Sequence, residues 1–198
     1  TMVLLTQYQL SISAFACGVY DGFEGLWLVP NNAGMVLRLS PNRTIYSQDG
    51  VSFQGELPNS TPLDERKIQM TALSDWNRVK SLKMAFYGGV WDGERNLWLV
   101  PYLASYFVRI DVETGDFFEI AIGFTATNAF AGGVFDGKYI FFIPRSADRV
   151  VRLDKGNPNL RAEFSSWPAG FVKSADAFSG GVYDGKQHIW LCPLQADP

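Results

Sequence analysis

Apolar and polar positions along this chain fall into one pattern that returns four times. Its clearest copy is the nine-residue phrase AFAGGVFDG from Ala129, which also occurs as AFACGVYDG from Ala14, AFYGGVWDG from Ala85 and AFSGGVYDG from Ala177. Each phrase leads into a short apolar run closed by proline: LWLVP to Pro30, LWLVP to Pro101, YIFFIP to Pro144 and IWLCP to Pro193. Eight residues beyond the first three prolines stand Arg38, Arg109 and Arg152, inside MVLRLS, YFVRID and RVVRLD. A fourth run follows, clearest in DFFEIAIGF from Asp116. Runs of this length, rich in β-branched and aromatic residues and bounded by Gly, Pro and Asp, predict strands. Only DERKIQMTALSDW, from Asp64, leaves a helical period open.

The turn chemistry agrees with four strands per unit. Asp21-Gly22, Asp92-Gly93, Asp136-Gly137 and Asp184-Gly185 sit between two strand-like runs, where Asp and Gly suit a tight hairpin connection. The pairs Gly88-Gly89, Gly132-Gly133 and Gly180-Gly181 weaken a strand unless another backbone comes close to it, as happens around a crowded central axis. DVETGDF, from Asp111, reads as a second hairpin between the third and fourth strands. The phrases start 71, 44 and 48 residues apart, and a period in the mid-forties predicts the blades of a β-propeller. The order of strand, Asp-Gly turn, aromatic-rich strand ending near Pro, V-x-R-[IL]-D strand and T-G turn resembles the blades of YVTN and NHL-type propellers. It differs from kelch repeats and from the sialidase Asp-box in where its glycines fall. The resemblance implies an architecture and no particular activity.

The expected fold is therefore an all-β propeller over residues 1–198, with four blades of four antiparallel strands starting near residues 14, 85, 129 and 177. MVLLTQYQLSI, before the first phrase, reads as an orphan outermost strand that completes the last blade or pairs with another copy. A self-contained four-bladed ring is the preferred arrangement. A piece of a larger propeller and pairing through open strand edges are the alternatives. Cys17 and Cys192 lie at opposite ends of the repeat array. In a closed ring they could meet within the roughly 6 Å Cα separation of a disulfide, removing roughly 4 to 5 kcal/mol of unfolded-state freedom. Two buried thiols are the equal alternative. Residues 42–74 read as a surface insertion and contain both sequons, at Asn42 and Asn59. An insertion on a repeat scaffold is a natural place to look for a partner, and the sequons favour an extracellular or cell-surface setting.

Composition narrows function by exclusion. Seventeen Lys and Arg against twenty Asp and Glu give a net charge of −3, which makes nucleic acid a poor partner. No apolar run approaches the roughly 20 residues of a spanning helix, so membrane insertion is not expected. His188 is the single histidine and reads as an exposed turn residue. No CxxC, His pair, EF-hand spacing or phosphate loop occurs, and neither cofactor nor metal is expected. The repeated Asp21, Asp92, Asp136 and Asp184 are explained by their turns. Arg38, Arg109 and Arg152 are expected to form charge-assisted hydrogen bonds within or between blades. Trp27, Trp98 and Trp190, with Phe142 read at that place in the third copy, are candidates for sugar stacking but are weighed in favour of packing. The leading expectation is a non-enzymatic structural or protein-interaction propeller that binds protein, including copies of itself. A glycan-binding, lectin-like propeller is the alternative, and a hydrolase or lyase on a propeller scaffold comes third.

Overall fold

The computed structural model describes residues 13–23, 25–41, 52–55, 68–73, 84–125 and 127–195. The sequons at Asn42 and Asn59 and the orphan strand before Ser13 lie outside them. The described residues form fifteen strands in four antiparallel sheets. The first sheet holds β1 (Phe15–Tyr20), β2 (Leu26–Pro30), β3 (Val36–Pro41), β4 (Ser52–Gly55) and β5 (Ile68–Leu73), in the order β1-β2-β3-β5-β4. The second runs β6 (Phe86–Trp91), β7 (Asn96–Pro101), β8 (Tyr106–Asp111), β9 (Phe117–Ala121). The third runs β10 (Phe130–Phe135), β11 (Tyr139–Pro144), β12 (Val150–Asp154), β13 (Arg161–Phe164), and the fourth pairs β14 (Phe178–Tyr183) with β15 (Ile189–Pro193). Among the described residues the sheets thus hold five, four, four and two strands. The ambiguous helical stretch contains a strand: β5 takes the fourth place in the first sheet and β4 adds a fifth strand outside it.

Each nine-residue phrase is the first strand of its sheet running into its turn. These strands touch in the order β1, β6, β10, β14, so the sheets stand side by side as blades around a common edge. The glycine pairs explain how they fit. A Cβ on Gly132 would lie 3.0 Å from the Cα of Gly180, so neighbouring first strands approach backbone to backbone. The second glycine of each pair faces the preceding blade. A Cβ on Gly89 would meet Val19 and Val29 at 2.9 Å each. Register irregularities beside these glycines, as between Phe86 and Gly89, bend the strand toward the axis.

One further repeated feature is invisible in the phrase itself. Ser13, Met84, Asn128 and Asp176, each directly ahead of Ala-Phe, all have φ between 52° and 58°. A non-glycine residue in this region costs about 1 kcal/mol or more. The kink turns the alanine carbonyl toward the loop after the second strand. The amides of Tyr102 and Ala104 donate to Ala85 O, and those of Arg145 and Ala147 to Ala129 O.

Three apolar layers lie between successive blades. Trp27, Val29 and Val36 face Phe86, Leu97, Leu99 and Ile110. Trp98, Val100 and Phe107 face Phe130, Ile140, Phe142 and Leu153. Val134 and Ile143 face Ala177 and Phe178. The N-terminal strand expected to seal a four-bladed ring lies outside the described residues; among these, Trp190 in the last blade is 65% exposed where Trp98 is fully buried. Cys17 and Cys192, read with equal weight as a bridge or as two buried thiols, are free thiols. Cys17 packs into the layer between the first two blades, while Cys192 lies exposed in the last.

Candidate functional site

In an antiparallel meander the first and third turns fall at the same end of the sheet. One rim of the row therefore collects the Asp-Gly turns together with the turns after β8 and β12. Backbone bonds from Val112 to Arg95 O and from Lys155 to Lys138 O tie the two sets together. Each Asp closes its own turn. Asp92 Oδ1 accepts from the amides of Glu94, Arg95 and Asn96. Asp136 Oδ1 accepts from Lys138 and Tyr139, and Asp184 Oδ1 from Lys186, Gln187 and His188.

The second carboxylate oxygen distinguishes the blades. In the first, Asp21 Oδ2 accepts Trp27 Nε1 and Arg38 Nη2, both at 3.0 Å. Burial pushes the Asp21 carboxyl up, but the bonds from Phe23, Trp27 and Gly25 and the Arg38 charge outweigh it and hold the acid below its ordinary range. In the second, Asn96 Nδ2 occupies Asp92 Oδ2 at 2.6 Å, and the buried Trp98 Nε1 and Arg109 Nε have no hydrogen-bond partner among the described residues. In the fourth, Asp184 Oδ2 lies 2.8 Å from His188 Nδ1. The backbone amide of His188 and then that of Lys186 lead the forces that hold the Asp184 carboxyl far below the usual carboxylate range, against a smaller effect of burial.

Among the described residues the expected role of the arginines is met by Arg38 alone. Arg109 lies over Phe118 at 4.4 Å and Trp98 at 6.0 Å, and Arg152 over Tyr139 at 4.1 Å and Phe164 at 5.5 Å, so cation–π contact stands where ion pairs were expected. The third-copy counterpart of Trp98 is Phe141, not Phe142: Trp98 pairs with Arg109 and Phe141 with Arg152. Trp27 and Trp98 are sealed between blades and offer no face to a sugar ring. Trp190 alone of the three is exposed.

Beside the Asp92 turn a cleft of about 410 Å³ opens between the second and third blades. Asp92, Arg95, Asn96, Arg109, Asp111 and Lys155 line it. Arg95 pairs with Asp111 at 2.6 Å and Lys155 with Glu94 at 2.7 Å. Asn96, Lys155 and the Asp184–His188 pair escape a reading by motif. A common spacing could have found the first and last, since Asn96 and His188 each stand four residues after a turn Asp.

No protein-family model matches the chain, and no curated protein matches it in sequence. Among solved structures it is similar to virginiamycin B lyase from Staphylococcus aureus, with 13% identity and a TM-score of 0.62 over 92% of this chain and 50% of that one. It is also similar to a streptogramin B lyase, with 16% identity and a TM-score of 0.52 over 89% of this chain and 61% of that one. The chain thus spans about half to three-fifths of the proteins it matches. These likenesses correct the leading functional expectation. Both neighbours are named as lyases, and the expectation of a non-enzymatic module is withdrawn as the leading reading. At this identity the likeness establishes architecture: the chain is an all-β propeller.

Proposed function

We propose that this chain is a lyase on a propeller scaffold, working at the rim of the Asp-Gly turns. The observation that carries the reading is the Asp184–His188 pair. An imidazole whose Nδ1 is held by an ionised carboxylate presents Nε2 as a proton acceptor, and the carboxylate steadies the imidazolium formed on proton uptake. His188 is 69% exposed, so substrate can reach it. In a lyase step the base removes a proton from carbon, the electron pair forms a double bond, and the leaving group departs without water. Arg109 on the same rim, with no carboxylate partner among the described residues, is suited to an anionic or developing negative group. The names of the two neighbouring enzymes supply the first substrate class to try, a streptogramin B antibiotic. The YVTN and NHL-type resemblance of the repeat speaks to blade construction and adds nothing on substrate.

The test is incubation of the chain with a streptogramin B antibiotic, followed by liquid chromatography and mass spectrometry. Elimination leaves the summed mass of the products equal to that of the substrate, whereas hydrolysis adds one water. Substituting His188→Ala should lower the rate by roughly 10²-fold or more. Absence of turnover, products that have gained water, or a His188→Ala rate equal to that of the parent would each refute the proposal.

A further inference from the structure

The second blade keeps the donors of the first blade's closed knot without their acceptor. Trp98 and Arg109 stand six and seventeen residues after Asp92, as Trp27 and Arg38 stand after Asp21. They pair across their strands in the same register, Trp98 with Arg109 and Trp27 with Arg38. In both blades the guanidinium lies over the indole, at 6.0 Å and 5.3 Å. In the first, one carboxylate oxygen of Asp21 accepts from Trp27 Nε1 and Arg38 Nη2 together. In the second, Asn96 Nδ2 holds that oxygen of Asp92, and Trp98 Nε1, on a fully buried ring, and Arg109 Nε have no acceptor among the described residues. A buried donor without a partner carries its full desolvation cost, so an acceptor that reaches it gains more than an ordinary hydrogen bond would give.

The cleft beside the Asp92 turn gives access to this place, since Asp92, Asn96 and Arg109 all line it. Its volume of about 410 Å³ is in the range of small-molecule sites. Arg95 is already engaged by Asp111 and Glu113, whereas Arg109 has no carboxylate partner among the described residues. Lys155 is held only by Glu94, whose side chain is 73% exposed, and so exposed an ion pair is weak enough for the ammonium to turn to a ligand. The Asp92 carboxylate faces the same cleft, but three backbone amides and the Asn96 amide occupy it. We propose that the cleft between the second and third blades binds a small carboxylate, one oxygen of which does for Trp98 and Arg109 what Asp21 does for Trp27 and Arg38, with Lys155 of the third blade countering its charge. The site deepens the lyase reading through Arg109 alone. Binding is measured without turnover, so failure of the one is distinguishable from failure of the other.

Nuclear magnetic resonance on the full chain tests this. The Trp98 Nε1–H resonance, identified by its loss in Trp98→Phe, should move downfield and saturate as acetate is added at constant ionic strength. Trp27 Nε1–H, already bonded to Asp21, should stay in place. Acetamide, which has the shape of acetate without its charge, should have little effect. Arg109→Gln should weaken the acetate response roughly tenfold or more. Asn96→Gly copies Gly25 of the first blade and frees the Asp92 oxygen for Trp98 and Arg109. In that variant, checked for a dispersed spectrum, the Trp98 resonance should lie downfield from the start and no longer answer to acetate. A Trp98 resonance unmoved by acetate, an equal response to acetamide, or a response in Asn96→Gly as strong as in the parent would overturn the site.

Discussion

Replacing Gly133 by alanine probes the packing on which every other feature depends. Gly133 faces the preceding blade, and an added Cβ would come inside 3.0 Å of Val90 Cγ2, with Phe141 O at 3.2 Å and Val100 Cγ2 at 3.4 Å. Backbone lies on one side and two buried branched side chains on the other, so the blades must part or Val90 must leave its rotamer. Overpacking of this kind costs typically about 1–3 kcal/mol. Reduced freedom of the unfolded chain returns about 0.4–1 kcal/mol. The net expectation is a loss of about 1–2 kcal/mol. With a slope of about 2 kcal/mol/M in urea, the unfolding midpoint should fall by roughly 0.5–1 M. The decisive step is the second substitution. Val90→Ala alone removes two buried methyl groups and should cost about 2 kcal/mol. In the double variant the new methyl at residue 133 fills the space vacated by Val90 Cγ2, so the combined loss should fall short of the sum by about 1 kcal/mol. Additive losses, or a neutral Gly133→Ala, would refute face-to-face packing of these blades through their second glycines.

Two further outcomes follow from the rim. Trp27→Phe removes a donor from a buried carboxylate and should cost about 1.5–3 kcal/mol, whereas Trp98→Phe removes a buried donor that has no acceptor and should cost less; equal losses in urea unfolding would contradict the difference between the two blades. Asp21 and Asp92 are held below their ordinary range, so their stabilisation is present above about pH 4 and is lost as pH falls through the lower folded-state values. Asp21→Asn should therefore be less stable than the parent at pH 7, with the gap narrowing below pH 4, and a gap independent of pH would argue against an ionised Asp21 in the fold.

What could be read from the residues was local. A hairpin needs a residue pair tolerant of tight backbone angles, and a crowded axis needs residues without side chains, so Asp-Gly and Gly-Gly announced the blade wherever they recurred. The left-handed residue ahead of each Ala-Phe was legible only where Asn128 and Asp176 occupy it; Ser13 and Met84 carry no such signal. The strand at Ile68–Leu73 was ambiguous because short apolar runs satisfy either period, and pairing with β3 decides it. Closure could not be read at all. Cys17 and Cys192 sit at matching ends of the array, yet whether two ends of a row meet depends on the angle between every pair of sheets. The Asp184–His188 pair was hidden for another reason: a turn already explained the aspartate, and a lone histidine carries no pattern.

The residue four places after the turn aspartate decides what the rim can do. In the first blade that residue is Gly25, and any Cβ there would collide with Asp21 Oδ2 and come within 2.7 Å of Arg38 Nε. Its absence lets Trp27 and Arg38 reach the carboxylate, and the site becomes a closed knot of internal bonds. In the second blade Asn96 places its amide on Asp92 Oδ2, and Trp98 Nε1 loses the acceptor that its counterpart has. In the third the turn is one residue shorter, and Tyr139 arrives at the third place with its amide on Asp136 Oδ1. In the fourth the same position carries His188, and the carboxylate orients an imidazole toward solvent. Between the blades, volume is fixed by neighbours on both sides, so the phrase repeats almost unchanged. At the rim one side faces water, and a single side chain there joins a structural aspartate to a solvent-facing imidazole without disturbing the strands on which it stands.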